Sequence, residues 1–252
     1  MREAAIRHRL EGAMGARPTL LLSVDVFDTL LLRTTKPELV RFAEAARWQE
    51  AALRRHGFPS CDADALLAAR LSLTKAAYDC VRTGEAGEVR FTAILADICA
   101  RLGLDAACVP VLVDAELAYE KTRLSPNLAL MRVLADVGVP MVATSDTPLS
   151  AAHVAVLLDH FLPGHGIRRI HASSDAGVTK RAGLMYVYIS QQENVAPEGI
   201  VHVGDHPWSD CRMALEQGVR AVHLPRPALW RLINRWRDKL NRRQLRRRGL
   251  IK

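Results

Sequence analysis

The stretch Thr19-Leu20-Leu21-Leu22-Ser23-Val24-Asp25-Val26-Phe27-Asp28-Thr29-Leu30-Leu31 decides how the whole chain is read. Its apolar run is too short to cross a membrane. It also lacks polar alternation, which marks a strand buried on both faces, as in a parallel sheet. The strand is expected over residues 19–27, with Asp25 at its carboxyl end, where open α/β sheets place their ligands. A carboxylate at the mouth of a buried strand is costly unless its charge is used or paired. A lone Asp in that position is also an ordinary loop cap. The meaning of Asp25 therefore depends on what the rest of the chain brings to it.

Downstream, from Pro37 to about Lys121, apolar residues recur at helical spacing, as in Leu39, Phe42, Ala43 and Ala46. Further sets follow at Leu66, Leu67, Leu71, Ala77 and at Phe91, Ile94, Leu95, Ile98, Leu102. His56-Gly57-Phe58-Pro59 and Gly84-Glu85-Ala86-Gly87 break the pattern. No strand pattern interrupts it, so this reads as an all-helical insertion behind the first strand. From Ser125 the rhythm becomes helix–strand alternation. Helices are expected at 126–137, 149–159, 182–193 and 209–217, with strands at 139–144, 167–172, 199–204 and 219–224. Short links between such elements imply an α/β fold with a mostly parallel sheet covered on both faces, a Rossmann-like three-layer core.

Composition fits that reading. Of 252 residues, 49% are apolar and 25% charged, ordinary for a globular protein with room for a core and a second, smaller domain. Five scattered cysteines without a C-x-x-C pair argue against a disulfide framework and a zinc site. The charged N-terminus has no apolar segment behind it, unlike a secretory signal, so a cytoplasmic protein is expected. Of the 35 Lys and Arg, eleven lie in 226–252 beside one of the 27 acids, leaving 24 basic against 26 acidic groups elsewhere. The net charge of +8 therefore belongs to the tail.

Further polar stops fall at expected strand ends. Ser145-Asp146 ends one strand, Lys180 lies in the loop Ser173–Arg181, and Gly204-Asp205-His206-Pro207-Trp208-Ser209-Asp210 follows another. Parallel strands bring their carboxyl ends to one rim, so Asp25, Ser145, Lys180, Asp205 and Asp210 should converge. Several carboxylates with a lysine and a hydroxyl suit a hard cation and a phosphoryl group, and Asp is a competent covalent nucleophile.

The order D-x-x-x-T, strand-end Ser, loop Lys and G-D-x-x-x-x-D resembles the haloacid dehalogenase-like superfamily over residues 20–225. The resemblance implies a core at 18–34 and 123–225 with a helical cap at 35–122 over the carboxyl ends, and outside it the charge and spacing of 226–252 mark a separate basic amphipathic tail. It implies that Asp25 is the nucleophile, Ser145 the phosphoryl-binding hydroxyl and Lys180 the charge-neutralising lysine. Mg²⁺ would be held by Asp25, the Phe27 backbone carbonyl, Asp205 and Asp210. The activity implied is Mg²⁺-dependent phosphatase or phosphotransferase chemistry on a small phosphorylated metabolite through an aspartyl-phosphate.

One position departs from the family's phosphatases, which read D-x-D-x-T with a second Asp as general acid/base. Here the +2 residue is Phe27, and Asp28 stands at +3. Asp28 is a candidate substitute acid/base or a loop residue tolerating a left-handed turn. An aromatic at +2 also resembles the metal-independent dehalogenase branch, whose aspartate attacks carbon. A third reading is a weakly active module docked by its tail. His202 and His223 read as packed core histidines, His206 as a candidate to touch substrate, Arg33 as either a contact to an anionic substrate or a cap of the loop, and Trp208 as a lid or packing residue.

In the tail, Leu229, Ile233, Trp236 and Leu240 read as one apolar face among arginines. Such a helix suits an anionic membrane surface at the inner face of the membrane, an acidic partner, or simple docking on its own domain. Nucleic acid has only charge in its favour.

Overall fold

A computed structural model describes residues 3–15, 17–59, 61–84 and 87–251; Glu85 and Ala86, within the expected helix break, lie outside them. The elements run α1 (Glu3–Met14), β1 (Leu21–Asp25), β2 (Leu31–Arg33), α2 (Glu38–Arg55), α3 (Ala63–Thr83), α4 (Phe91–Leu102) and α5 (Cys108–Lys121). Then follow β3 (Leu124–Pro126), α6 (Leu128–Ala135), β4 (Met141–Ser145), α7 (Ala151–Phe161), β5 (Ile167–Ala172), α8 (Ser173–Ala176) and α9 (Leu184–Glu193). Last come β6 (Ile200–Gly204), a π-helical turn (Pro207–Arg212), α10 (Met213–Glu216), β7 (Arg220–His223) and α11 (Ala228–Arg247). The chain divides into two compact units, residues 1–33 with 124–227, and residues 34–123 with 228–252.

The first unit is an α/β, Rossmann-like fold on a five-stranded parallel sheet of order β5-β4-β1-β6-β7. β1 lies at its centre because every one of its residues is buried: Leu21, Leu22, Ser23 and Val24 show no exposure. One face of the sheet is sealed by α9 and α10, where Met185, Tyr186, Ile189 and Ala214 meet Leu21, Val142 and Ile200. Asn127 starts α6, accepting from Leu130 N at 3.2 Å, while its amide donates to the Thr29 carbonyl at 2.9 Å and pins the loop after β1. Ser150 and His153 close α7 with a reciprocal capping box. The Arg220 guanidinium gathers the segment after α1 by donating to the carbonyls of Ala13, Arg17 and Pro18 at 2.9–3.0 Å.

A feature the periodicity does not announce is the antiparallel pair β2–β3, which joins Leu31–Arg33 to Leu124–Pro126. These strands are three residues each, too short to show a period. The expected strand and helix positions otherwise hold, with the 209–217 helix beginning as the π-helical turn.

The second unit is helical throughout. Leu53, Leu67, Phe91, Leu95, Leu112 and Tyr119 form part of its core. Among them runs a buried polar group: Arg70 lies between the Phe42 and Phe91 rings and reaches Glu116 at 3.1 Å, which also accepts from Gln49 at 3.2 Å. The tail belongs to this unit, with α11 against α2, Arg237 donating to the Thr35 carbonyl at 2.8 Å, and Arg248 paired with Asp64. Among the described residues no helix is long and apolar enough to cross a membrane.

Candidate active site

Asp25 closes β1, and its α-carbon pairs in register with Thr144. Ser145 ends β4 one residue further on, buried at the same rim. Gly204 ends β6, so Asp205 leaves the sheet beside them. The parallel register alone thus gathers residues separated by up to 180 positions.

Lys180 arrives by a different route. It follows α8 in a loop whose backbone is fixed by Asp146, the residue after Ser145. The Asp146 carboxylate accepts from Lys180 N at 2.7 Å and Arg181 N at 3.1 Å. So anchored, the buried Lys180 Nζ lies 2.6 Å from Asp25 Oδ1 and 2.7 Å from Asp210 Oδ1.

Asp210 is placed by the π-helical turn after β6. His206 caps that turn, its Nδ1 accepting from Trp208 N and Ser209 N, and His206 N donates to Asp210 Oδ2 at 2.9 Å. His206 is thus a turn-forming residue. Trp208 packs beside it, its Nε1 donating to the Arg181 carbonyl at 3.4 Å and its ring under the Arg212 guanidinium.

Behind Asp210 runs a buried chain that sequence reasoning missed. Thr144 Oγ1 lies 2.8 Å from Ser23 Oγ, Ser23 Oγ lies 2.8 Å from His202 Nδ1, and His202 Nε2 lies 3.4 Å from Asp210 Oδ1. Burial holds the imidazole below its usual pKa against the pull of Asp210. A neutral His202 with the proton on Nε2 satisfies the chain: it donates to Asp210 and accepts from Ser23. His202 is therefore buried as expected, yet tied to the site. The only signals in the sequence were polar residues inside apolar strands, Ser23, Thr144 and His202. His223 is also engaged, donating from Nε2 to the Asp205 carbonyl at 2.9 Å.

Charge is unbalanced here. Carboxylate oxygens of Asp25, Asp205 and Asp210 lie within 4.8 Å of one another. Burial pushes the Asp25 pKa up to about 7, with Lys180 pulling it down and the charge of Asp210 pushing it further up. The Thr29 hydroxyl also favours ionised Asp25, although buried Oγ1 makes no hydrogen bond of good geometry. Burial, then the charges of Asp25, Asp28 and Asp210, push Asp205 up to about 8. Burial opposes ionisation of Asp210 too, but Lys180 and His202 outweigh it and hold this carboxyl well below the usual range. The ammonium of Lys180, in turn, is held well above its usual value by Asp210 and Asp25, against burial. One lysine cannot neutralise three carboxylates. The donor set, all hard oxygens with an excess of negative charge, fits a small divalent cation such as Mg²⁺.

The two remaining candidates lie in the turn after β1. Phe27 is buried, pairs with Leu31 in an isolated bridge, and carries the Arg33 guanidinium 4.1 Å above its ring. Asp28 adopts a left-handed backbone, φ 67°, and its N–H donates to the Leu31 carbonyl. Its carboxylate accepts from Arg33 N at 3.2 Å and lies 3.6 Å from both Arg33 Nη1 and Arg226 Nε. Arg33 is thereby part of this turn.

A family model described as haloacid dehalogenase-like hydrolase matches residues 21–218. No curated protein matches the chain. Among solved structures, the 2-haloacid dehalogenase from Pseudomonas syringae pv. Tomato DC3000 is 18% identical, with a TM-score of 0.53 over 81% of this chain and 85% of that one. The L-2-haloacid dehalogenase from Xanthobacter autotrophicus is 15% identical, with a TM-score of 0.52 over 83% and 79%. A HAD-family enzyme from Bacteroides thetaiotaomicron, solved with magnesium and inorganic phosphate, is 12% identical, with a TM-score of 0.51 over 81% and 93%. At these identities the structures share the fold. With the family model spanning most of the sequence, the chain belongs to the haloacid dehalogenase-like hydrolases.

Proposed function

We propose that the protein is a Mg²⁺-dependent phosphoryl hydrolase or phosphotransferase acting on a small phosphorylated molecule, with Asp25 as nucleophile. The observation that carries this reading is the cluster Asp25, Asp205 and Asp210, which one lysine leaves short of positive charge. Asp210 also holds Lys180 beside Asp25, so the excess of negative charge comes from adding Asp205 to that pair. Asp25, the Phe27 carbonyl, Asp205 and Asp210 are the groups that would hold the ion, which when bound would supply charge to phosphoryl oxygens.

Asp25 Oδ1 is engaged by Lys180, so Oδ2 is the attacking atom. It forms a bond to phosphorus as the bond from phosphorus to the leaving oxygen breaks, giving an aspartyl-phosphate. Water then attacks that phosphorus, the bond to Asp25 breaks, and inorganic phosphate leaves; an acceptor hydroxyl in place of water gives transfer. Lys180 keeps Asp25 in place, and Ser145, at the same rim, is assigned to a phosphoryl oxygen.

The leaving oxygen is the weak point. Phe27 carries no proton to give, and a general acid contributes roughly 10²–10⁴-fold in such reactions. Asp28 is the remaining carboxyl of the motif, but it is engaged by Arg33 and Arg226. The reading therefore favours leaving groups that depart without protonation, such as acyl and aryl phosphates over alkyl phosphates. Asp28→Asn tests the alternative: a loss confined to alkyl esters would make Asp28 the proton donor.

A second reading rests on Phe27, the aromatic at +2, and assigns carbon attack on a 2-haloacid without metal. The deciding assay follows phosphate and halide release from both substrate classes, with Mg²⁺ and with EDTA, beside Asp25→Asn. Phosphate release that needs Mg²⁺ and vanishes in the variant supports the proposal. EDTA-resistant halide release overturns it in favour of the dehalogenase.

A further inference from the structure

The tail helix α11 has two opposed faces. Trp230, Ile233, Asn234, Asp238, Asn241 and Leu245 recur at helical spacing and are wholly or partly buried. On the other side Leu229, Leu232 and Trp236 are 68%, 65% and 61% exposed, and Leu240 continues the row. Ile233, expected with this row, instead turns partly inward, and Leu232 takes its place. At 3.6 residues per turn, spacings of three, four and four put the exposed residues on one stripe. Exposed Arg231, Arg235, Lys239 and Arg242 run along one edge of it, and exposed Arg243 and Arg247 extend its line. The one acid of the helix, Asp238, is on the partly buried side and paired with Arg242 at 2.8 Å.

We infer that α11 is a membrane-surface helix that lies in the headgroup region of an anionic bilayer. Charge and shape choose this occupant. An apolar stripe with a tryptophan, bordered along its length by cations and carrying no acid, matches an interface with acyl chains below and phosphates beside it. Cations near such a surface add to the attraction, and Trp favours the headgroup level. A nucleic acid would use the cations and leave the leucines in water. A second copy would set like charges against each other along the edge. The inward face already holds the helix to its own unit through Leu245 and Arg237, so membrane binding needs no unfolding. This inference is independent of the reaction at Asp25.

The test uses the full chain with vesicles of phosphatidylcholine, alone or mixed with phosphatidylglycerol. The protein is expected to co-sediment with the mixed vesicles and not the neutral ones, and to release as salt rises. Leu232→Glu with Trp236→Glu should weaken binding at least roughly tenfold while the thermal midpoint holds, because both positions are exposed. Should that variant fail to fold, brominated acyl chains give a second measurement. Wild-type tryptophan fluorescence should be quenched, and Trp236→Phe should remove most of the quenching. Absence of vesicle binding overturns the inference, as does equal binding by the folded double variant. Self-association lost in the double variant, or binding of an RNA homopolymer in preference to vesicles, likewise overturns it.

Discussion

The Asp210 carboxylate lies so close to the Gly204 α-carbon that an added β-carbon would come within 2.4 Å of its carboxyl carbon. Asp210 cannot retreat, because Lys180, His202 and the His206 N–H hold it from three sides. Gly204→Ala should therefore cost about 1–3 kcal/mol as an overpacked site and should also displace Asp210. Urea unfolding measures the first effect, and loss of Mg²⁺-induced thermal stabilisation the second. Unchanged values in both would show that the turn relaxes freely.

Lys180 bridges Asp25 and Asp210. Lys180→Met leaves two buried carboxylates without their cation. Breaking a buried pair in this way costs about 3–5 kcal/mol. The variant should regain part of this loss at acidic pH, where the carboxyls take up protons, so its stability should rise as pH falls while activity stays lost. Denaturation across pH reads this directly.

His202 stands between Ser23 and Asp210 without touching solvent. His202→Phe keeps the ring volume against Tyr186 but leaves Ser23 and Asp210 each short of a partner. A loss of about 1–3 kcal/mol follows from the unsatisfied polar groups. If His202 positions Asp210, turnover at saturating substrate should fall and higher Mg²⁺ should restore part of it. A purely structural residue would change stability alone.

His171 is buried on β5, with Nε2 2.9 Å from Glu193, which Arg168 and Arg169 also face. Burial lowers its pKa from the ordinary 6.5, with Glu193 pulling the other way. The unfolded chain then binds this proton first as pH falls, so the contribution is present above 6.5 and is lost below it. The slope for one proton is at most about 1.4 kcal/mol per pH unit. Glu193, held below its usual value by His171 and Arg168 against burial, loses its own contribution at still lower pH. Between about pH 7 and 5, His171→Phe should show a shallower loss of stability than wild type by urea unfolding. Parallel curves would mean that folding leaves the proton affinity of His171 unchanged.

Sequence alone determined the sheet and most of its rim. Buried strands are apolar without alternation, and parallel strands must end on one side, so Asp25, Ser145 and Asp205 could be placed without coordinates. The Gly204-Asp205…Asp210 spacing and the loop lysine completed that set. Only the tertiary structure decided what holds these groups. Strand order puts β4 and β6 on either side of β1, which joins Thr144, Ser23 and His202 into a chain spanning 179 residues. Asp28 is engaged by Arg226, and Lys180 by both Asp25 and Asp210, through contacts no local period encodes. The outward stripe of α11 was half legible. Periodicity reveals that a helix has faces, but packing against the rest of its unit decides that Ile233 turns in and Leu232 out. Local pattern reports the solvent each residue prefers, whereas partners distant in sequence are chosen by the register and packing of the folded chain.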